Sequence, residues 1–244
     1  TGFMSDNSIT IGTAGVTNQP TSTYGIISGG GKTDTASDVT GNTLTIHGLQ
    51  VSNGNGQSMI YGGVSGTGAV TNNKVFFNNG LSKDSIYGGF NGTSATNAVT
   101  GNSVTVVDGT VEGDVQGGGT AGTGAVTGNS VTITGGTLKD EAMGGIIRST
   151  TSSADITGNT LTISGGTLKD AYGGWSTGKK ADGTSGKTTG NTVRFTGGTV
   201  TGTIYGGSDA KDVKENTLVV SGERTAGQIA NFEKLHFDAD MAKA

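Results

Sequence analysis

Along most of this chain, aliphatic residues and small polar residues alternate in short bursts. Asn159, Leu161 and Ile163 share one parity while Thr160 and Thr162 share the other, the period of two that predicts a strand with one buried face. The same parity returns in Asn42, Leu44 and Ile46, in Asn102, Val104 and Val106, in Asn129, Val131 and Ile133, and in Asn191, Val193 and Phe195. A second inward position follows a Gly pair, at Leu81, Val111, Leu138, Leu168 and Val200. A third precedes Tyr-Gly-Gly, at Ile60, Ile86, Val115, Ala171 and Ile204. Three inward segments per repeat predict a three-sided coil.

The bursts belong to one recurring phrase, close to V-T-G-N-[TS]-[VL]-T-[IV]-x-G-G-T-[VL]. Its asparagines are Asn42, Asn73, Asn102, Asn129, Asn159, Asn191 and Asn216, spaced by 31, 29, 27, 30, 32 and 25 residues, with a degenerate copy at Asn7. A phrase that stays intact while the spacing varies means fixed strands joined by loops of adjustable length. The predicted fold is all-β: a right-handed parallel β-helix (β-solenoid) of about eight three-sided coils of 25–35 residues, a rod of ~40 Å. It occupies residues 1–228, and residues 229–244 form a C-terminal segment, the start of a cap or of a further region. The inward asparagines are expected to form a buried amide ladder between coils.

Composition alone points elsewhere. Glycine supplies 48 of 244 residues and hydrophobic residues only 31%, a mix typical of disorder when no period is present. The period reverses that inference, because each coil needs few core side chains when its neighbours complete their burial. Glycines at corners are expected to supply positive φ. Cysteine is absent, which excludes disulfides and thiolate metal sites. The formal charge of −4, with 15 thinly spread basic residues, gives no footprint for nucleic acid. No apolar run approaches the ~18 residues of a membrane-spanning helix. A chain opening on Thr1 without a leader reads as a mature or excised fragment.

Residues 126–138, Val-Thr-Gly-Asn-Ser-Val-Thr-Ile-Thr-Gly-Gly-Thr-Leu, and residues 204–207, Ile-Tyr-Gly-Gly, resemble passenger-domain repeats of Gram-negative type V autotransporters. Residues 229–237, Ile-Ala-Asn-Phe-Glu-Lys-Leu-His-Phe, resemble a segment that recurs after such repeats in large surface adhesins. The resemblance covers roughly residues 7–237. It implies export through an outer-membrane β-barrel, then display at the cell surface or secretion, with roles in cell adhesion and virulence.

Candidate chemistry is sparse. No Gly-x-Ser-x-Gly elbow exists, and the two histidines, His47 and His236, lie far apart in sequence. The outward strand positions are mostly Thr and Ser, with no outward row of carboxylates for glycan cleavage. Lys83-Asp84, Lys139-Asp140 and Lys169-Asp170 read as corner turns of balanced charge. Gly206-Gly-Ser-Asp209 occurs once without the nine-residue period of calcium β-rolls. No catalytic residue, metal or cofactor is therefore expected, and the chain reads as a non-enzyme.

Two features could bind something. Tyr24, Tyr61, Tyr87, Tyr172 and Tyr205 hold one place in the repeat, filled by Gln116 and Met143 in two other copies. Alternation predicts rings on the outer surface, stacked as an aromatic ladder. The connection after Tyr-Gly-Gly varies from five residues at 208–212 to thirteen at 175–187, and the longest carries Trp175, Lys179, Lys180 and Lys187. Loops lengthened at one corner are where a rigid scaffold puts recognition. The expectation is a surface-exposed or secreted adhesin fragment contacting a host-cell or bacterial glycan or protein, with self-association left open. A polysaccharide-acting β-helix lyase or hydrolase is the alternative. A third reading, ice binding, rests on outward pairs such as Thr43/Thr45 and Thr160/Thr162, interrupted at Lys74/Phe76, Arg194 and Val219.

Overall fold

A computed structural model describes residues 4–16, 21–22, 26–32, 36–51, 59–93, 95–177, 186–208, 214–222 and 224–238. Strands of successive repeats lie parallel and in register. Ser130–Ile133 pairs on one side with Ser103–Val106 and on the other with Thr160–Leu168, so that Val104, Val131 and Leu161 share one column. Thr43–Ile46, Lys74–Phe77, Thr192–Tyr205 and Thr217–Val220 continue the stack. The chain is a parallel β-solenoid with no helix among the described residues. About six full turns separate Asn42 from Asn216, slightly fewer than the eight expected, and partial turns flank them.

Each turn carries four short inward positions where three were expected. The additional one is the Val of Val-Thr-Gly-Asn. Val39, Val70, Val99, Val126 and Ile156 are fully buried and pair coil to coil as a separate seven-stranded sheet. Val70, Val99, Val126 and Ile156 also pack with Ile147 as a small second core. The main core stacks Leu44, Val75, Val104, Val131, Leu161, Val193 and Leu218 in one column and Ile46, Phe77, Val106, Ile133, Ile163, Phe195 and Val220 in the next. One inward residue differs from the expectation. Ser82, not Leu81, pairs with Val51 and Val111, because it stands five residues after Phe77 as Val111 does after Val106, and so takes the inward place.

The asparagine ladder is present. Each Nδ2 donates to the Oδ1 of the next coil: Asn42 to Asn73 at 2.8 Å, Asn73 to Asn102 at 2.9 Å, and Asn102 to Asn129 at 3.0 Å. Asn129, Asn159 and Asn191 repeat the contact to Asn159, Asn191 and Asn216 at 3.1, 3.0 and 3.3 Å. The same oxygens also accept the backbone N–H of the preceding Asn, as from Asn102 to Asn129 at 2.9 Å. Each remaining amide proton goes to a neighbouring carbonyl, for example from Asn129 to Val99 at 3.0 Å. Buried amides cost little when every group is paired in this way.

The glycines divide into two kinds. Gly41, Gly101, Gly128, Gly158 and Gly190, each just before a ladder asparagine, have φ between 64° and 70° and turn the chain. The glycines of Tyr-Gly-Gly have ordinary φ and exist for a different reason. A methyl group on Gly145 would stand 2.9 Å from Cγ and Nδ2 of Asn159. The second glycine of the pair therefore makes room for the ladder rather than a turn.

Candidate functional site

At Tyr-Gly-Gly the third strand bends over the ladder, and the bend brings two outer columns together. One holds Tyr61, Tyr87, Gln116, Met143, Tyr172 and Tyr205; the other holds Val64, Phe90, Gly119, Ile146 and Trp175. Tyr87 meets Phe90 at 5.0 Å between ring centroids, and Tyr172 meets Trp175 at 4.8 Å, both edge to face. The columns pack against each other as an apolar seam running along the solenoid.

Tyrosine stacking occurs as expected, between Tyr61 and Tyr87 at 5.0 Å and between Tyr172 and Tyr205 at 4.8 Å. The expected exposure does not. Tyr61, Tyr87 and Tyr172 are buried and Tyr205 is half-buried, because the opposite column packs onto the rings in two small apolar clusters. Parity correctly put them outside the core, but parity says nothing about a bend that folds the outside onto itself. Burial pushes the hydroxyl pKa of Tyr61, Tyr87 and Tyr172 well above the ordinary tyrosine range. Tyr24 lies outside the described residues.

Trp175 stands near the end of the strand Ala171–Ser176, packed on Tyr172, rather than in the loop that follows. Lys179 and Lys180 lie outside the described residues. Lys187 lies apart from it and lines a polar depression of about 260 Å³ with Thr189, Lys214 and Glu215.

Beside the seam runs an acidic edge. Two residues before the tyrosine place, successive coils carry Asp114, Glu141 and Asp170, in register through Val115, Ala142 and Ala171. All three lie at the corner just before a strand, not on the outward strand positions, where Thr and Ser prevail. Burial raises the pKa of Asp114 and Glu141, and each is raised further by neighbouring carboxylates. Asp114 is compensated. Arg148 donates to its Oδ2 at 3.0 Å and to the Tyr87 hydroxyl at 3.5 Å, and Gln116 Nε2 donates to the same carboxylate at 3.1 Å. Asp170 Oδ1 accepts the backbone N–H of Thr203 at 2.6 Å. Among the described residues, nothing donates a hydrogen bond to the Glu141 carboxylate, and no cation pairs with it.

No family model, curated protein or solved structure matches this chain. What this edge of the solenoid does must therefore follow from its own chemistry.

Among the described residues, no cluster of His, Asp and Glu has the arrangement of a metal site. Lys83 and Lys139 both pair with Glu112, at 3.1 and 2.7 Å, and Lys169 pairs with Asp140 at 3.3 Å, so the corner charges bridge neighbouring coils. The outward Thr rows are interrupted where the register puts Lys74 and Phe76 between Thr43/Thr45 and Ser103/Thr105.

Proposed function

We propose that this chain is a display module, a fragment of a surface-exposed or secreted adhesin of the autotransporter passenger kind. Its rigid solenoid carries contacts to a partner on one long outer edge. The observation that supports this reading most is the continuity of the stacked coils. Side chains in register over several coils make an extended outer surface suited to holding something long rather than to acting at one point. The amide ladder and close-packed columns hold that surface stiff, and the loops that vary in length open beside it.

Beads coated with the purified chain are expected to adhere to host cells or to bacteria, and soluble chain to compete. Coated beads that adhere no better than albumin-coated ones would remove the reading.

One observation favours a second reading, a polysaccharide-acting enzyme: carboxylates of raised pKa stand in a row along one edge. Glycoside cleavage needs two carboxyl groups free to act on one bond. Asp114 is held by Arg148 and Gln116, and Asp170 by Thr203, which leaves Glu141 by itself. Incubation with acidic and neutral polysaccharides is expected to release no reducing or unsaturated ends. Thermal hysteresis is likewise expected to be absent, since ice binding needs an unbroken flat row.

A further inference from the structure

Glycine follows asparagine twice among the described residues, at Asn79-Gly80 and Asn91-Gly92, and the fold treats the two pairs differently. Asn91 is fully buried, and its Nδ2 donates to the Gly68 and Asn97 carbonyls at 3.2 and 3.0 Å. The Gly92 nitrogen is engaged as well, donating to the Ser65 and Gly66 carbonyls at 3.0 and 3.1 Å. Asn79 is half-buried at the corner between the strands Lys74–Phe77 and Gly80–Ser82. There the Gly80 N–H donates to the side-chain Oδ1 of Asn79 itself at 2.7 Å, so the nitrogen already touches the atom bonded to Asn79 Cγ. Gly80 has a φ of 125°, which residues with side chains rarely adopt. Gly48 N–H donates to the Asn79 carbonyl at 2.9 Å and fixes the corner from the neighbouring coil. Among the described residues no hydrogen bond holds the Asn79 Nδ2. One coil further on, Asp108 takes the corresponding place, in register through Leu81 and Thr110, and the Gly109 N–H donates to its Oδ1 at 2.7 Å. The fold therefore already holds a carboxylate at this place in the same contact.

We propose that Asn79 is a site of self-modification, where the folded chain converts its own amide to aspartate and isoaspartate. The Gly80 nitrogen loses its proton and bonds to Asn79 Cγ, the Cγ–Nδ2 bond breaks, and Nδ2 leaves with one added proton as ammonia. Water then opens the cyclic imide. Addition at Cγ restores the ordinary backbone as aspartate, and addition at the Asn79 backbone carbonyl routes the chain through the side chain as isoaspartate. The geometry favours ring closure because nucleophile and carbon are held together before reaction, and because Gly80 puts no Cβ in the way. At Asn91 both reacting groups are hydrogen-bonded in the interior, so closure there waits on local opening. Each conversion adds a negative charge to an outer corner, and the isoaspartate branch lengthens that corner by one backbone atom. The inference stands independently of the display reading.

The intact chain would be held at mildly alkaline pH and sampled over days. Peptide mapping by mass spectrometry would locate each exchange of amide for carboxyl, and labelling with an isoaspartyl methyltransferase would score the isoaspartate branch. Asn79 is expected to convert in the folded chain, faster as pH rises, with Asn91 at least about tenfold slower. In urea Asn91 is expected to catch up with Asn79, because unfolding frees both of its reacting groups. Asn79→Gln, which would have to close a larger ring, is expected to leave that corner unmodified; a mass gain persisting there would assign the reaction to Asn78 and overturn the proposal. Asn79 remaining an amide in the folded chain while it converts in urea, or Asn91 converting as fast as Asn79 in the folded chain, would overturn it as well.

Discussion

At the scale of single residues, the two kinds of glycine make opposite demands. Gly145 has ordinary φ but no room, so Gly145→Ala should destabilise by about 1–3 kcal/mol through a clash with Asn159. Gly158 has room but a φ of 67°, and in an earlier coil Asn72 takes the corresponding place with a φ of 58°. Gly158→Asn should therefore cost less than about 1 kcal/mol. Urea denaturation midpoints of the two variants would test this ordering, and similar losses would contradict the distinction. The ladder makes a steeper demand. Asn129→Ala removes the acceptor of the Asn102 backbone N–H and of one Asn102 Nδ2 proton, together with the amide donor to the Val99 and Thr127 carbonyls, a loss on the order of 3 kcal/mol. The same denaturation experiment reads it.

At the scale of the element, the bent third strand explains both the buried tyrosines and the pH behaviour. Tyr61, Tyr87 and Tyr172 titrate above the free residue, so the folded chain holds its phenolic protons more tightly than the unfolded one. Their contribution to stability is complete below the unfolded value of ~10 and is lost as pH rises toward the raised values. Ultraviolet titration should show a late tyrosine phase that coincides with alkaline unfolding. Glu141 obeys the same sign at lower pH. Its raised pKa means that ionisation costs the folded state, so its favourable contribution is present below the ordinary glutamate range and fades as pH rises through the raised value. Glu141→Gln should raise the melting temperature at neutral pH and flatten the loss of stability above the ordinary glutamate range.

At the scale of the whole molecule, stability is a sum over neighbouring coils, and the ends are its weak points. Lys234–Phe237 pairs with Thr217–Val220, and among the described residues nothing pairs with its other edge. Leu235, Phe237 and Ile229 are left exposed around an open apolar cavity of about 510 Å³. Open parallel edges invite association, and lysine on an edge opposes it. Leu235→Lys together with Phe237→Lys should lower any concentration-dependent self-association in sedimentation velocity while leaving the melting temperature within a few degrees.

Much of this architecture was legible in the sequence because a solenoid repeats its environment. Position in the phrase fixes burial, so Asn129 and Val131 could be placed inward, and the ladder inferred, from parity and period alone. Leu81 shows how parity can be misapplied: counted five residues from Phe77, as Val111 is from Val106, the inward place falls on Ser82. The aromatic seam was not legible for a deeper reason. Whether Tyr87 and Phe90 diverge or meet depends on how the backbone turns at the Gly pair, where Gly89 lies too close to Asn102 for any side chain. Likewise Asp114, Glu141 and Asp170 are 27 and 29 residues apart in the chain and become one charged edge only when the coils stack. The sequence determined which residues repeat and which way they face; the tertiary structure decided what they face, because that depends on how the backbone bends between them.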